Sequence, residues 1–267
     1  MYGWRGRIGV IVPAINTTLE PECHRLAPEG VSFHFARMPL AETSPDALVA
    51  MGKYAKEKGR EVAAAGVDLI VFACTSGSFT LGKGHDEDII RELEDATGIP
   101  AMTTSTAILK ALRTLDIRSM AIASPYSDEL NARQKIFFEE NGITVHGMAG
   151  LGFVKQTPHF PLSARPVSHV GLQEPAVAYK LARQVHGRSP DAQAILISCT
   201  NLRTIDVIQK LERDCGKPVV TSNQATIWAS LLGLSIREQR QDCGTLFTLV
   251  QIPDQPADAT PNRRISR

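Results

Sequence analysis

The sequence predicts an α/β fold built from two similar lobes. Short apolar runs alternate with longer amphipathic segments along most of the 267 residues, a pattern typical of parallel sheets with helices on both faces. Three segments of the first half recur in the same order in the second half, which indicates an internal repeat. We therefore expect two pseudo-symmetric Rossmann-like lobes, each a short parallel sheet flanked by helices, with the active site in the cleft between them.

Strands are predicted where β-branched apolar runs end in small or turn residues. In chain order they cover residues 8–12, 31–36, 69–73, 101–103, 120–123, 144–147, 194–198 and 219–221. Helices are predicted between them, where apolar residues recur at helical spacing. They cover residues 46–65, 86–97, 106–114, 127–141, 175–185 and 202–215.

The repeat involves the strands and the turns that follow them. The corresponding segments are 8–13 with 120–125, 66–75 with 190–200, and 98–103 with 216–221. Any α/β chain repeats strand-turn-helix units, but that does not explain why Cys-Thr ends a central strand in both halves. We expect residues 1–115 and 218–247 to form the first lobe, 116–217 the second, and 254–267 a mobile tail.

Charge and cysteine content exclude several classes of protein. The 29 basic residues nearly balance the 28 acidic ones, unlike the basic surface of a nucleic-acid or membrane-surface binder. Five irregularly spaced cysteines argue against a disulfide framework and favour a reducing, cytoplasmic compartment. No Cys-x-x-Cys pair or His-x-x-x-His spacing supports a zinc site, and no run approaches the roughly 18 apolar residues of a membrane span.

Cys74 and Cys199 occupy the positions where open α/β sheets bind ligands, the carboxyl ends of buried parallel strands. Backbone N–H groups at the next helix start would stabilise a thiolate and lower its pKa. A single strand-end cysteine is more often an inert core residue, but two at equivalent repeat positions favour function. Two facing thiols suit proton removal and delivery on opposite faces of one carbon, or thiolate addition to an activated double bond.

Polar residues beside these strand ends are candidates for binding a substrate. They are Thr75 and Ser76 after Cys74, Thr200 and Asn201 after Cys199, and Asn16 and Tyr126 in the first turn of each lobe. Asn16 is suited to a carboxylate oxygen, while helix capping is the alternative role of its turn. Tyr126 is equally compatible with packing. The Pro-rich segment 153–168 has no helical period and resembles loops that cover sites. We treat Cys23, Cys215 and Cys243 as structural.

Together these residues resemble the cofactor-independent aspartate/glutamate racemase superfamily, and within it the maleate isomerase and arylmalonate decarboxylase branch. The segments that carry the resemblance are 12–22, 73–78, 124–131 and 198–203, and the likeness covers about residues 5–235. It implies two pseudo-symmetric α/β lobes with the site between them, no metal and no organic cofactor.

The resemblance also implies roles for individual residues. In the isomerases the position of Cys74 is the nucleophile that adds to the alkene, and that of Cys199 participates from the other side. The positions of Asn16 and Tyr126 bind the substrate carboxylate. The decarboxylases carry Gly at the position of Cys74, which argues against decarboxylation. Residues 74–78 resemble a segment of the racemase-like proteins linked to ectoine breakdown. Residues 152–162 contain no Asn, whereas the isomerases have a substrate-binding Asn in the loop after the sixth strand.

We therefore expect a cofactor-independent isomerase of a small (di)carboxylate, similar to maleate cis-trans isomerase, with Cys74 and Cys199 facing each other across a cleft. The alternatives are a racemase of an amino acid or diamino-acid derivative working by two-base proton transfer, an arylmalonate-type decarboxylase, and a carboxylate-binding protein without turnover. The expected partner is a small carboxylate, with no nucleic acid and no membrane. Homo-oligomerisation stays open.

Overall fold

The structure, a computed structural model, describes residues 1–154, 156–157, 167–237 and 239–249. The predicted tail 254–267 and much of the segment 153–168 therefore lie outside the described residues. Within the described part, no helix has the length and apolar character needed to cross a membrane.

The first half of the chain alternates strands and helices as the repeat predicts. Its elements are β1 (Gly6–Pro13), α1 (Leu19–Leu26), β2 (Val31–Met38), α2 (Pro45–Gly52), α3 (Ala55–Ala63), β3 (Leu69–Phe72), α4 (Thr75–Phe79), α5 (His85–Thr97), β4 (Ala101–Thr103) and α6 (Thr104–Thr114).

The second half follows the same order with an added hairpin and a C-terminal extension. Its elements are β5 (Ser119–Ser124), α7 (Asp128–Glu140), β6 (Thr144–Gly150), β7 (Gln156–Thr157), β8 (Val167–Ser168), α8 (Pro175–Arg188), β9 (Ala194–Ile197), a 3-10 turn (Ile205–Val207), α9 (Ile208–Cys215), β10 (Val219–Thr221), α10 (Ser222–Gly233), a second 3-10 turn (Gln241–Cys243) and α11 (Thr245–Thr248).

Two four-stranded sheets form the centres of the lobes. Their strand orders are β2-β1-β3-β4 and β10-β9-β5-β6, and every pairing within them is parallel. Read from β6, the second order matches the first, so corresponding repeat segments take corresponding places. All four residues of β3 and of β9 are buried, as expected for central strands covered on both faces. The prediction of two similar α/β lobes is confirmed.

The repeat extends to the helix ends. Thr103 and Thr221 each begin a helix with a capping box. The threonine hydroxyl accepts the backbone N–H of the residue three positions on, and the side chain of that residue accepts the backbone N–H of the threonine. The helices before them, α5 and α9, both end at a glycine with positive φ, Gly98 at 69° and Gly216 at 63°. Only glycine adopts this left-handed conformation without steric cost.

The strand β10 departs from the predicted division into lobes. β10 pairs with β9 in the second sheet, although residues 218–247 were assigned to the first lobe. Because β10 repeats β4, it takes the place beside β9 that β4 takes beside β3. The helix that follows it, α10, packs against α6 of the first half, where Thr226 donates a hydrogen bond to Thr104. The chain thus crosses from one lobe to the other at Ser222.

Several helices differ from the prediction for physical reasons. The predicted helix 46–65 is two helices, α2 and α3, separated at Lys53 and Tyr54. Helix 202–215 begins only at Ile208, after a 3-10 turn. Four of the described helices were not predicted. α1, α4 and α11 are only eight, five and four residues long. α10 is buried over its first ten residues, so it has no polar face to create an amphipathic pattern.

Candidate active site

All eight predicted site residues line the same cavity, at the carboxyl ends of the central strands between the lobes. They are Asn16, Cys74, Thr75, Ser76, Tyr126, Cys199, Thr200 and Asn201, joined by Pro13, Ile15, Leu40, Thr43, Ser168 and Val170. The cavity measures about 30 Å³, room for a water or two. A ligand with four carbon atoms therefore requires this region to open.

Two loops meet over the cavity. Thr43, in the loop between β2 and α2, donates through its N–H to the Val154 carbonyl at 3.0 Å and through its hydroxyl to the Phe153 carbonyl at 3.2 Å. Phe153 also stacks on His169 at 5.5 Å between ring centroids. β2 and β6 are corresponding edge strands, so the loops after them close the site from both lobes.

Cys74 ends the first-lobe strand and caps α4. Its Sγ accepts the Gly77 N–H at 3.3 Å and lies 3.7 Å from the Ser76 hydroxyl. The side chain is 4% exposed, and burial raises the pKa of its thiol despite the donors from Gly77 and Ser76. Gly77 permits this close approach, because a Cβ there would lie 3.1 Å from Sγ.

Cys199 is held in an unusual backbone conformation. Its φ of 145° lies in a region that residues with a side chain rarely adopt, and such strain persists only where the surroundings hold it. Sγ accepts the Asn201 N–H at 3.4 Å, and the Cys199 N–H donates to the Ser222 hydroxyl at 3.0 Å. Burial raises the pKa of the Cys199 thiol to about 12, although the Asn201 N–H and the Tyr126 hydroxyl favour the thiolate.

The expected lowering of the cysteine pKa values is therefore wrong. The backbone donors are present where the sequence predicts them, but burial has the larger effect and raises the pKa of both thiols. A thiolate at Cys74 raises the pKa of Cys199 further. Because like charges disfavour each other, ionisation of one thiol opposes ionisation of the other.

Asn16 caps a helix, one of the two roles considered for its turn, and lines the cavity. Its Oδ1 accepts the N–H groups of Thr18 and Leu19 at 3.0 Å, which caps α1. Its Nδ2 donates to the Thr200 hydroxyl at 3.0 Å, which in turn donates to the Ala73 carbonyl. An amide nitrogen carries two hydrogens, so the second one can serve a ligand in the cavity.

Asn201 fixes the first-lobe turn from the second lobe. Its Oδ1 accepts the Thr17 N–H at 2.8 Å, its Nδ2 donates to the Ile15 carbonyl at 3.2 Å, and its own carbonyl accepts the Thr18 hydroxyl at 3.0 Å. These bonds give Asn201 a positioning role. Direct contact of Asn201 with a substrate stays a prediction.

Tyr126 packs as one of its two proposed roles requires, and its hydroxyl lies at the cavity. The ring packs edge-on against Phe79, with 6.0 Å between centroids, while its hydroxyl contacts the side chains of Ser198 and Cys199. Gln134 in turn donates to Ser198. Burial raises the pKa of Tyr126 well above its ordinary value, so the phenol stays neutral and can donate a hydrogen bond.

Sequence reasoning missed Ser222 and the apolar wall formed by Pro13, Ile15, Leu40 and Val170. Ser222 follows the capping threonine of the third repeat pair, so the repeat could have identified it. None of the described residues that line the cavity is charged. Within the described part, no group of three or more His, Cys, Asp or Glu side chains could hold a metal ion.

Comparisons with known proteins agree with this arrangement. A family model described as arylmalonate decarboxylase matches residues 8–247. The chain is 29% identical over 221 residues to arylmalonate decarboxylase from Bordetella bronchiseptica, covering 83% of this chain and 87% of that protein. It is 26% identical over 254 residues to maleate isomerase from Pseudomonas putida, covering 91% and 97%. The resemblance to this branch is confirmed, and the relatives named maleate isomerase support isomerase activity.

Solved structures give the same result for the fold. A liganded mutant of arylmalonate decarboxylase matches with a TM-score of 0.82 and 28% identity, covering 91% of this chain and 98% of that one. A mutant of the Nocardia farcinica maleate cis-trans isomerase, with a covalently bound succinylcysteine intermediate, matches with a TM-score of 0.82, 22% identity and the same coverage. Both likenesses agree with the α/β fold of two parallel sheets flanked by helices.

Proposed function

The chain belongs to the arylmalonate decarboxylase family, and from that premise we propose that it is a cofactor-independent cis-trans isomerase of a small unsaturated dicarboxylate. The observation that carries the proposal is the pair of thiols, Cys74 and Cys199, that reach one cavity from equivalent strand ends of the two lobes. The succinylcysteine in the Nocardia farcinica isomerase supports covalent cysteine chemistry on this fold.

The two thiols take different roles. Cys74, whose Sγ accepts the Gly77 N–H in the first turn of α4, is the nucleophile, as the resemblance implies, and Cys199 is the acid. The Cys74 thiolate donates its electron pair to one alkene carbon and forms a C–S bond. The π electrons move to the other alkene carbon, which takes the Cys199 proton. Cys199 is then a thiolate.

The adduct has a single carbon–carbon bond where the alkene was, and that bond can rotate. After rotation the Cys199 thiolate takes a proton back from the same carbon, the double bond forms again, and the C–S electron pair returns to Cys74. The product is the trans isomer and both cysteines recover their starting states, so no external oxidant, reductant or co-reactant is needed.

Neutral donors bind the carboxylates in this proposal. The free hydrogen of Asn16 Nδ2 and the Tyr126 hydroxyl supply hydrogen bonds from opposite lobes, and hydrogen bonds to a charged acceptor are about twice as strong as neutral ones. The same two donors, fixed in a buried cavity, also stabilise the negative charge that develops on the substrate during addition.

Two alternatives receive less support from the cavity. An amino-acid substrate of a racemase carries an ammonium group, yet none of the described lining residues is acidic. The polar string 74–78, which suggested a racemase, includes Ser78, whose hydroxyl bonds internally to the carbonyls of Cys74 and Thr75. The resemblance gives glycine at the position of Cys74 in the decarboxylases, so the presence of Cys74 argues against decarboxylation.

The test is a substrate panel in D₂O followed by NMR, with maleate, arylmalonates and single-enantiomer amino acids. We expect conversion of maleate or a close analogue to its trans isomer, and a loss of about 100-fold or more in Cys74→Ser and Cys199→Ser. Cys215→Ser is the matched control, since Cys215 is partly exposed and lies outside the cavity. Exchange at the Cα of an amino acid would instead indicate a racemase, and carbon dioxide release from an arylmalonate a decarboxylase. Carboxylate affinity without turnover would indicate a binding protein.

A further inference from the structure

Ser222 joins the two cysteine loops through one buried hydroxyl. It is the first residue of α10 and is 0% exposed. Its Oγ accepts a hydrogen bond from the Thr75 hydroxyl at 2.9 Å and another from the Cys199 N–H at 3.0 Å. Thr75 directly follows Cys74, so a single atom links the side chain next to one cysteine to the backbone N–H of the other.

The bond to Cys199 acts on a strained residue. With φ at 145°, Cys199 would relax toward an ordinary conformation if its surroundings released it. The Ser222 hydroxyl holds the N–H of this residue on one side, and the Asn201 N–H holds Sγ on the other. Fixing both the backbone and the sulfur sets the direction in which the thiol points into the cavity.

The first repeat does not contain this arrangement. By the correspondence of segment 98–103 with 216–221, the counterpart of Ser222 is Thr104, whose buried hydroxyl accepts from Thr226 of α10. The counterpart cysteine, Cys74, has an ordinary φ of −139°. The strained backbone and the serine hydroxyl therefore occur together, on the Cys199 side of the site.

We propose that Ser222 is a positioning residue, which fixes the direction of the Cys199 thiol so that it points into the cavity opposite Cys74. This inference rests on the proposed function, because it takes Cys199 to be the acid that serves the Cys74 adduct. A buried hydroxyl with a purely structural role would support folding without affecting the reactivity of one particular cysteine.

The experiment compares Ser222→Ala, Ser222→Thr and Thr104→Ala with the unaltered chain. We expect Ser222→Ala to lower kcat at least tenfold with KM changed less than threefold, because Asn16 and Tyr126 still bind the carboxylates. Ser222→Thr keeps the hydroxyl, and its counterpart in the first repeat is itself a buried threonine, so we expect it to recover at least a third of kcat. Thr104→Ala removes an equally buried hydroxyl at the equivalent position and should leave kcat within twofold.

A second measurement does not depend on turnover. Alkylation by iodoacetamide, followed cysteine by cysteine with peptide mass spectrometry, should show a Cys199 rate altered at least threefold in Ser222→Ala, with an altered pH profile. Cys74 should change less, because its donors from Gly77 and Ser76 remain. Buried Cys23 and Cys243 report unfolding, since they react only if the chain opens.

The outcomes separate the two proposals. Unchanged Cys199 alkylation in folded Ser222→Ala, or an equal loss of kcat in Thr104→Ala, would overturn the role of Ser222. If the unaltered chain converts no substrate in the panel, the proposed isomerase fails, and the alkylation rates still decide whether Ser222 positions Cys199.

Discussion

Replacing Gly77 by alanine should displace the Cys74 sulfur without unfolding the protein. A Cβ at this position would lie 2.9 Å from Met51 Cε, 3.1 Å from Cys74 Sγ and 3.2 Å from Phe72 Cε1. Met51 can move its flexible end, but Phe72 is fully buried. The sulfur therefore has to shift by a few tenths of an ångström, and its hydrogen bond from the Gly77 N–H lengthens.

Two terms of opposite sign set the stability of this variant. Overpacking a buried site costs about 1–3 kcal/mol, while replacing glycine by alanine in a helix returns about 1 kcal/mol. The net expectation is a loss of roughly 0–2 kcal/mol in the free energy of unfolding. The effect on activity is larger, because small misplacement of a reacting group is costly, and we expect kcat to fall about tenfold.

Urea unfolding and kinetics with the converted substrate measure these two quantities. Gly52→Ala is the matched control, because an added Cβ there meets no heavy atom within 4 Å. It should stabilise the protein by about 0.5–1 kcal/mol and leave kcat unchanged. A Gly77→Ala variant with unaltered kcat and unaltered alkylation of Cys74 would refute the assignment of this contact.

Three further predictions concern pH and the carboxylate site. Burial raises the pKa of Glu22 above its ordinary value of 4.5. The folded state therefore favours neutral Glu22, and the stability this gives is present below pH 4.5 and is lost as pH rises through the higher pKa of the folded state. The melting temperature of Glu22→Gln should therefore rise relative to that of the unaltered chain between pH 4 and 8, and a melting-temperature difference that does not change with pH would contradict this. Because burial also raises the pKa of Cys74, kcat/KM should rise about tenfold per pH unit between pH 6 and 8.5, and a flat profile would exclude Cys74 as the thiolate nucleophile. Asn16→Asp keeps the oxygen that caps α1 but loses the amide donor to Thr200 and buries a negative charge, so KM should rise at least tenfold and thermal stability should fall. Asn16→Ala should lose about 1 kcal/mol of capping as well.

The location of the site could be predicted from the sequence because parallel strands fix it. Cys74 and Cys199 end corresponding strands, and the carboxyl ends of parallel strands share one edge of a sheet. Once the repeat places the two lobes face to face, the residues that follow each strand converge on one cavity. The eight candidates lie together for this reason.

Other features depend on tertiary packing, which the local pattern does not contain. α10 is covered by α6 and α1, and this burial removes the polar face that makes a helix recognisable. The balance between burial and hydrogen bonding at the two thiols is set by how closely the lobes pack, so the direction of the pKa shifts could not be read from the strand-end motif. The strain at Cys199 is likewise a result of contacts with Ser222 and Asn201.

Trapping a covalent adduct tests directly whether Cys74 adds to the substrate while Cys199 donates the proton and takes it back. Cys199→Ser, Cys74→Ser and the Cys215→Ser control would be incubated with maleate, denatured rapidly in acid and mapped by peptide mass spectrometry. We expect one substrate mass added to the Cys74 peptide in Cys199→Ser, and no adduct in Cys74→Ser. Turnover by Cys74→Ser at the rate of the unaltered chain, or an adduct on a cysteine outside the cavity alone, would contradict these roles.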